Sequence, residues 1–203
     1  MSKILLIGNG PSALEHKMGS RIDSDEFDIV CRINRGHKQD DGSLNTGFEE
    51  FTGTRCDYWI VSDLRIELAI NRVKDYKGIF VYIPTFKIHP QNIASANYIS
   101  SKYPSIQFIP PEYEASINNI VDFSPKWPST GVVAIHFAVN NFKDVYIYGF
   151  DTYDIKYDTL HYFEDKPNKY KLKTKGSRVD HNPSHERYYI DYMIKNNKIK
   201  QLI

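Results

Sequence analysis

The sequence predicts an α/β fold, a mostly parallel sheet with helices on both faces. Three observations carry that expectation. Short apolar runs alternate along the chain with segments of helical period, the pattern of strand, crossover helix and parallel strand. Two of those runs, "KILLIG" and "GIFVYIP", are apolar almost throughout, as strands covered on both faces require. The first run also leads directly into "GNGPSA" (Gly8 to Ala13), a glycine-rich turn between strand and helix.

The elements follow in order. Lys3 to Gly8 is the first strand, and Pro11 to Gly19 reads as a helix opened by proline and closed by glycine. Phe27 to Asn34 alternates as a second strand, and a polar loop from Arg35 to Gly53 leads to a third strand, Cys56 to Asp63. Leu64 to Tyr76 has helical period, and Gly78 to Pro84 is a buried strand stopped by its proline. Then come a helix near Gln91 to Tyr103, the short strand "IQFIP" and a weaker helix to about Val121. Ser129 to Asn141 is a strong helix, and Lys143 to Asp151 is the last strand expected. Thr152 to Asp180 is rich in Lys, Tyr and Asp without apolar period, so it reads as a long lid loop. Asn182 is a good N-cap and Pro183 a good first residue for a closing helix through Tyr189 and Met193. No repeat or linker divides the chain, so residues 1–203 are expected to form one domain. In such a sheet, ligands bind beyond the carboxyl ends of the strands.

Composition narrows the function classes. With 26 Lys and Arg against 25 Asp and Glu, the net charge of +1 gives no global field toward nucleic acid or an anionic membrane. Two cysteines, Cys31 and Cys56, do not require a structural disulfide, and a reducing compartment is the simpler setting. No apolar run reaches the roughly 18 residues of a spanning helix. Tyrosine is abundant at 15 residues, which supports ligand stacking only weakly.

Several motifs can carry chemistry. "GNGPSA" satisfies G-x-G-x-x-A, which backbone N–H groups use to hold a phosphate; a tight connecting turn remains open beside that reading. A dinucleotide site is disfavoured, because the second strand ends in Arg32, Ile33 and Asn34 rather than in an acid for the ribose, and Pro11 is atypical. Arg32 could meet a 2′-phosphate. "WPSTGVV" puts Ser129, Thr130 and Gly131 at a helix N-terminus, an anion-ready turn whose simpler reading is capping by Ser129. "DSD" (Asp23 to Asp25) resembles a metal-holding D-x-D but precedes a strand, so a polar turn is the expectation. Of the seven histidines, His16, His37 and His89 carry no pattern, and His136 reads as a packed helix residue. His161 in "LHYFED" and His181 in "HNPSHE" are the loop candidates. His181 and His185 are four apart, the spacing of a zinc pair on one helix face, yet Pro183 places His181 ahead of the helix, and no nearby cysteine completes a site. His185 is then expected to face solvent or the lid.

Taken in order, "ILLIGNGPSALEHKMGSRIDSDEFDIVCRINRG" with "GFEEFTGTRCDYWIVSD", "WPSTGVVAIHFAVNNFKDVYIYGFD", "LHYFED" and "HNPSHE" resemble the large, small, third and very small motifs of the eukaryotic-type sialyltransferase family. The ordered set runs from Ile4 to Glu186. The resemblance implies a GT-A-variant, Rossmann-like fold, a CMP-activated 2-keto sugar acid as donor, inversion at the anomeric carbon, and neither metal nor other cofactor. Carried over by position, Asn9, Gly10, Ser12 and Asn34 would contact the CMP portion. Ser129, Thr130 and Gly131 would hold the nucleotide and donor carboxylate, and Gly149 would line the cytidine pocket. His161 with Tyr162 would approach the phosphate or donor, and His181 would be the general base, a role suited to a near-neutral imidazole. Animal members join the large and small motifs by a disulfide whose positions correspond here to Ile4 and Phe142. The partners implied are a CMP-sugar and a glycan or glycolipid acceptor, with no nucleic acid. With no transmembrane segment read from the sequence, the expected setting is a microbial or viral cytoplasm, at most at the inner face of a membrane. Relatives of this kind also use CMP-Kdo, so both donors are expected candidates. Two other classes fit a similar sheet: a nucleotide-dependent pyrophosphokinase or phosphotransferase, which would prefer ATP and need a metal, and a nucleotide-sugar binding module without turnover.

Overall fold

The computed structural model describes residues 2–36, 46–63, 66–152, 154, 156–163 and 181–202. Seven strands form one sheet: β1 (Lys3–Ile7), β2 (Ile29–Ile33), β3 (Tyr58–Ser62), β4 (Gly78–Tyr82), β5 (Ile106–Phe108), β6 (Asp144–Tyr148) and β7 (Lys200–Gln201). The order is β5-β4-β3-β2-β1-β6-β7, and every pairing is parallel. Helices α1 (Gly19–Ile22), α2 (Glu49–Thr52), α3 (Ile66–Asn71), α4 (Pro90–Lys102), α5 (Glu112–Asn118), α6 (Thr130–Asn141) and α7 (Pro183–Lys195) connect them.

Strand alternation divides the core between the two faces. On one face Ile4 and Leu6, Cys31 and Ile33, Ile60, Phe80 and Val145 join residues of α6 and α7 in one continuous cluster. On the other face the core is split. Leu5, Ile7 and Val30 lie with Ala13 and Ile22 in one cluster, and Trp59, Val61, Ile79 and Val81 lie with Ala69 in another. Arg32 of β2 stands on this second face between them, 2% exposed, and its guanidinium donates to Thr52 O, Gly53 O and Arg55 O. Its charge therefore binds the carbonyls after α2 and is not available to a 2′-phosphate.

The helix expected over Pro11 to Gly19 is instead a 3-10 turn, Pro11–Leu14, followed by the separate single turn α1. The cause is tertiary: Tyr148 Oη lies 2.8 Å from both Ala13 O and His16 O and shares its one proton between them, engaging carbonyls that a continuing helix would use. The segment expected as one helix to Tyr76 likewise splits into α3 and a 3-10 turn at Val73–Asp75. β7 was not foreseen. Its two residues are exposed, and it exists because Lys200 and Gln201 pair in parallel with Tyr146 and Ile147 at the sheet edge. Most of the expected lid, His37, and the middle of the Arg35 to Gly53 loop lie outside the described residues.

The strand order places the site. Steps from β1 to β5 move one way across the sheet, and β6 returns to the far side of β1. Right-handed crossovers in opposite directions put helices on opposite faces and leave a crevice where the direction reverses. That point lies at the carboxyl ends of β1 and β6.

Candidate active site

At the switch point two glycine turns pack backbone to backbone. The Gly8 N–H donates to Tyr148 O at 2.7 Å and the Gly10 N–H to Gly149 O at 2.8 Å. A Cβ on Gly8 would overlap the Gly149 carbonyl, and Gly149 has φ +71°, so both positions need glycine for contact and conformation. The cleft above them is lined by Asn9, Gly10, Asn34, Gly149 and Asp151 from the strand ends, and by Ser129, Thr130 and Gly131 from the start of α6. His161, His181 and Glu186 close it.

Helix α6 begins where the sequence predicts. Ser129 is extended (φ −68°, ψ 161°), and its hydroxyl accepts from the Val132 N–H. The N–H groups of Thr130 and Gly131 belong to the first turn, which the helix cannot satisfy itself. Ser129 does more than cap: its hydroxyl also donates to Glu186 Oε2 at 2.9 Å, tying α6 to α7. Glu186 is 4% exposed, and its Oε1 has no hydrogen-bond partner among the described residues. Burial pushes its carboxyl up to about 8, with the Ser129 hydrogen bonds opposing.

Helix α7 starts at Pro183 with Asn182 as cap, so His181 lies just outside it. The His181 Nδ1 is 3.9 Å from Glu186 Oε1. Its carbonyl accepts from Lys126 Nζ at 2.9 Å, and its ring meets Trp127 edge-on at 6.2 Å. His185 does not face solvent as expected. It is half-buried one turn before Tyr189, with its ring edge-on to Phe123 at 5.9 Å, because the stripe Glu186, Tyr189, Ile190 and Met193 turns that side of α7 inward. His136 is buried as expected, with Nδ1 at 2.8 Å from Tyr189 Oη, and burial lowers its pKa.

Two predicted site residues lie outside the cleft. Tyr162 is 7% exposed in the apolar cluster with Leu5 and Ile7, its ring 5.1 Å from Phe48. Its N–H donates to Asn9 O, which brings the neighbouring His161, stacked on Phe163, to the cleft. Ser12 instead borders a second cleft behind the β6 turn, and its N–H donates to Asp151 Oδ2 at 2.8 Å. Asn34 lines the site while its Oδ1 accepts from the Ser62 N–H and its carbonyl from Trp59 Nε1. Asp23 behaves as the polar turn expected, accepting from Thr54 and Arg55. Among the described residues no group of three or more His, Cys, Asp or Glu is placed to hold a metal ion. The residues that sequence reasoning missed are Asp151 and the two that touch His181, Lys126 and Trp127. Asp151 did carry a signal, an acid at a strand end, but on β6 rather than β2.

The sequence profile of glycosyltransferase family 29 (sialyltransferase) matches residues 3–198. The chain belongs to glycosyltransferase family 29. The family 29 chain is 25% identical to the human CMP-N-acetylneuraminate-beta-galactosamide-alpha-2,3-sialyltransferase 1 and 24% to its mouse counterpart. Each match covers 80% of this chain and 48% of the relative, so the chain spans about half the length of the curated relatives it matches. A mammalian sialyltransferase solved in complex with Gal-beta-1-3GalNAc-ortho-nitrophenol superposes with a TM-score of 0.62 at 17% identity, covering 99% of this chain and 69% of that one. That likeness shows the fold. Ile4 and Phe142, the positions at which the resemblance implied a disulfide in animal members, pack in one apolar cluster.

Proposed function

We propose that this chain transfers a 2-keto sugar acid, sialic acid or Kdo, from its CMP-activated donor to a hydroxyl of a glycan acceptor, with inversion and without a metal. One observation carries the reading: His181, Glu186 and the N-terminus of α6 converge on a single cleft at the switch point of the sheet. The names of the curated relatives favour sialic acid as donor and a galactose-containing acceptor.

In this reading the acceptor hydroxyl attacks the anomeric carbon, its proton passes to His181, and the bond to the CMP phosphate breaks with its electron pair. The phosphate gains charge as it leaves. The first-turn N–H groups of α6 and the helix dipole supply the compensating positive field, with His161 across the cleft. The charge that appears on His181 is met by Glu186. Held neutral by burial at rest, this carboxyl ionises more readily once an imidazolium stands 3.9 Å away. A proton gained at one group eases its loss from the other.

The test is incubation with CMP-sialic acid and with CMP-Kdo against a glycan array, with and without EDTA. Transfer from one donor, unchanged by EDTA, is the expected result. Nucleotide release from ATP but not from either CMP-sugar would overturn the reading.

A further inference from the structure

The glycine-rich turn after β1 is a poorer phosphate cradle than its sequence suggests. The N–H groups of Gly8, Gly10, Ser12 and Ala13 are all engaged within the protein, by Tyr148 O, Gly149 O, the Asp151 carboxylate and Gly10 O, and Pro11 has none. The turn also carries acceptors. Asn9 donates its Nδ2–H to Ile33 O at 3.1 Å, which turns Oδ1 the other way, buried and without a hydrogen-bond partner. On the other side, Asp151 presses so closely on Gly10 that a Cβ there would overlap its carboxylate. Ser12 uses part of that carboxylate, whose two oxygens have about four lone-pair sites. Two acceptors thus flank Gly10, and such a pair selects a ligand that brings O–H or N–H groups rather than negative charge.

We propose that Asp151, with Asn9 Oδ1 beside it, accepts hydrogen bonds from the ribose hydroxyls of the nucleotide, so that the β1 turn reads the sugar while the N-terminus of α6 takes the phosphate. The inference rests on the nucleotide-donor reading above. Dinucleotide folds use the same chemistry, a strand-end carboxylate on the ribose beside a glycine turn. Here the end of β2 carries Arg32, Ile33 and Asn34, and the carboxylate comes from the other side of the switch point, just after β6. Burial raises the Asp151 pKa while Ser12, through its N–H and hydroxyl, opposes. A cytosine amino group would satisfy the same acceptors, and the experiment separates the two.

Calorimetric titration would compare CMP, UMP, AMP and GMP with their 2′-deoxy and 3′-deoxy forms, on the native chain and on Asp151→Asn. The native chain is expected to bind at least one deoxy form about 10-fold or more weakly than its ribonucleotide, the scale of a hydrogen bond to a charged group. In Asp151→Asn the two should come within about threefold. A general loosening of the turn would weaken both forms alike and leave the ratio standing; Asp151→Ser, which keeps a small acceptor for the Ser12 N–H, serves if the Asn variant does not fold. Equal binding of ribo and deoxy forms by the native chain overturns the proposal, and so does a ratio that survives in both variants. Preference for another base with the ratio lost in the variant would retain the ribose subsite and overturn the CMP-donor reading. Binding of no nucleotide would overturn both.

Discussion

In the proposed mechanism His181 and Glu186 carry the proton chemistry, and their properties come from opposite surroundings. His181 lies ahead of α7 at the cleft, whereas Glu186, five residues on, is 4% exposed. His181→Ala should leave CMP affinity within a few-fold and lower transfer by about 10²-fold or more, the scale of general-base loss. Unchanged turnover in that variant would remove His181 from the mechanism. Glu186 makes a stability prediction with a definite sign. Its carboxyl is raised from 4.5 to about 8 in the folded chain, so between those values the native state holds a proton that the unfolded state has released. The stabilising contribution of this group is then fully present below about 4.5 and is lost as pH rises through about 8, by up to a few kcal/mol. Glu186→Gln keeps an acceptor for Ser129 but cannot titrate, and its melting temperature should vary less than the native chain's between pH 5 and pH 8. Parallel melting curves for the two proteins would refute the burial argument. In "HNPSHE" Pro183 placed His181 outside the helix and the family resemblance made it the candidate base, but the state of Glu186 depends on contacts from α6 and could not be read locally.

Helices α6 and α7 act as a unit because Ser129 serves both. It caps α6 through Val132 and bonds the buried acid of α7. Ser129→Ala therefore removes a cap, costing about 1 kcal/mol, and leaves a buried carboxyl short of a partner, costing about 1 kcal/mol or more besides. A fall in melting temperature of roughly 4 °C or more is expected, together with weaker CMP binding; a loss near 1 kcal/mol with full activity would mean that the Ser129 to Glu186 bond has no consequence. The boundaries of α6 and α7 were legible because proline, serine and asparagine act within one turn of chain. The break after Leu14 was not, since it arises from Tyr148 Oη, over a hundred residues away.

Across the whole molecule the two faces of the sheet are held differently. One carries a continuous apolar cluster, and the other is divided at Arg32. Replacing Arg32 with Met would leave the carbonyls of Thr52, Gly53 and Arg55 without their donor in a buried seam, costing about 3 kcal/mol or more. Arg32→Lys should recover only part of this, since a point ammonium cannot match the fork that meets three carbonyls. Urea denaturation midpoints measure both, and a native-like midpoint for Arg32→Met would mean that the seam is held by apolar packing alone. By itself the sequence determined the strand and helix alternation, the parallel sheet, the start of α6 at Ser129 and the position of His181 outside α7, because hydrophobic period and capping chemistry are local. Only the tertiary structure decided that the Gly10 turn spends most of its N–H groups internally, that the Asp151 carboxylate packs on Gly10 at the cleft, that Tyr162 lies beneath the site, and that Glu186 is buried against Ser129. Those are properties of neighbours brought together by the pairing of β1 with β6, and a hydrogen-bond partner or a burial depth does not exist until that pairing is made.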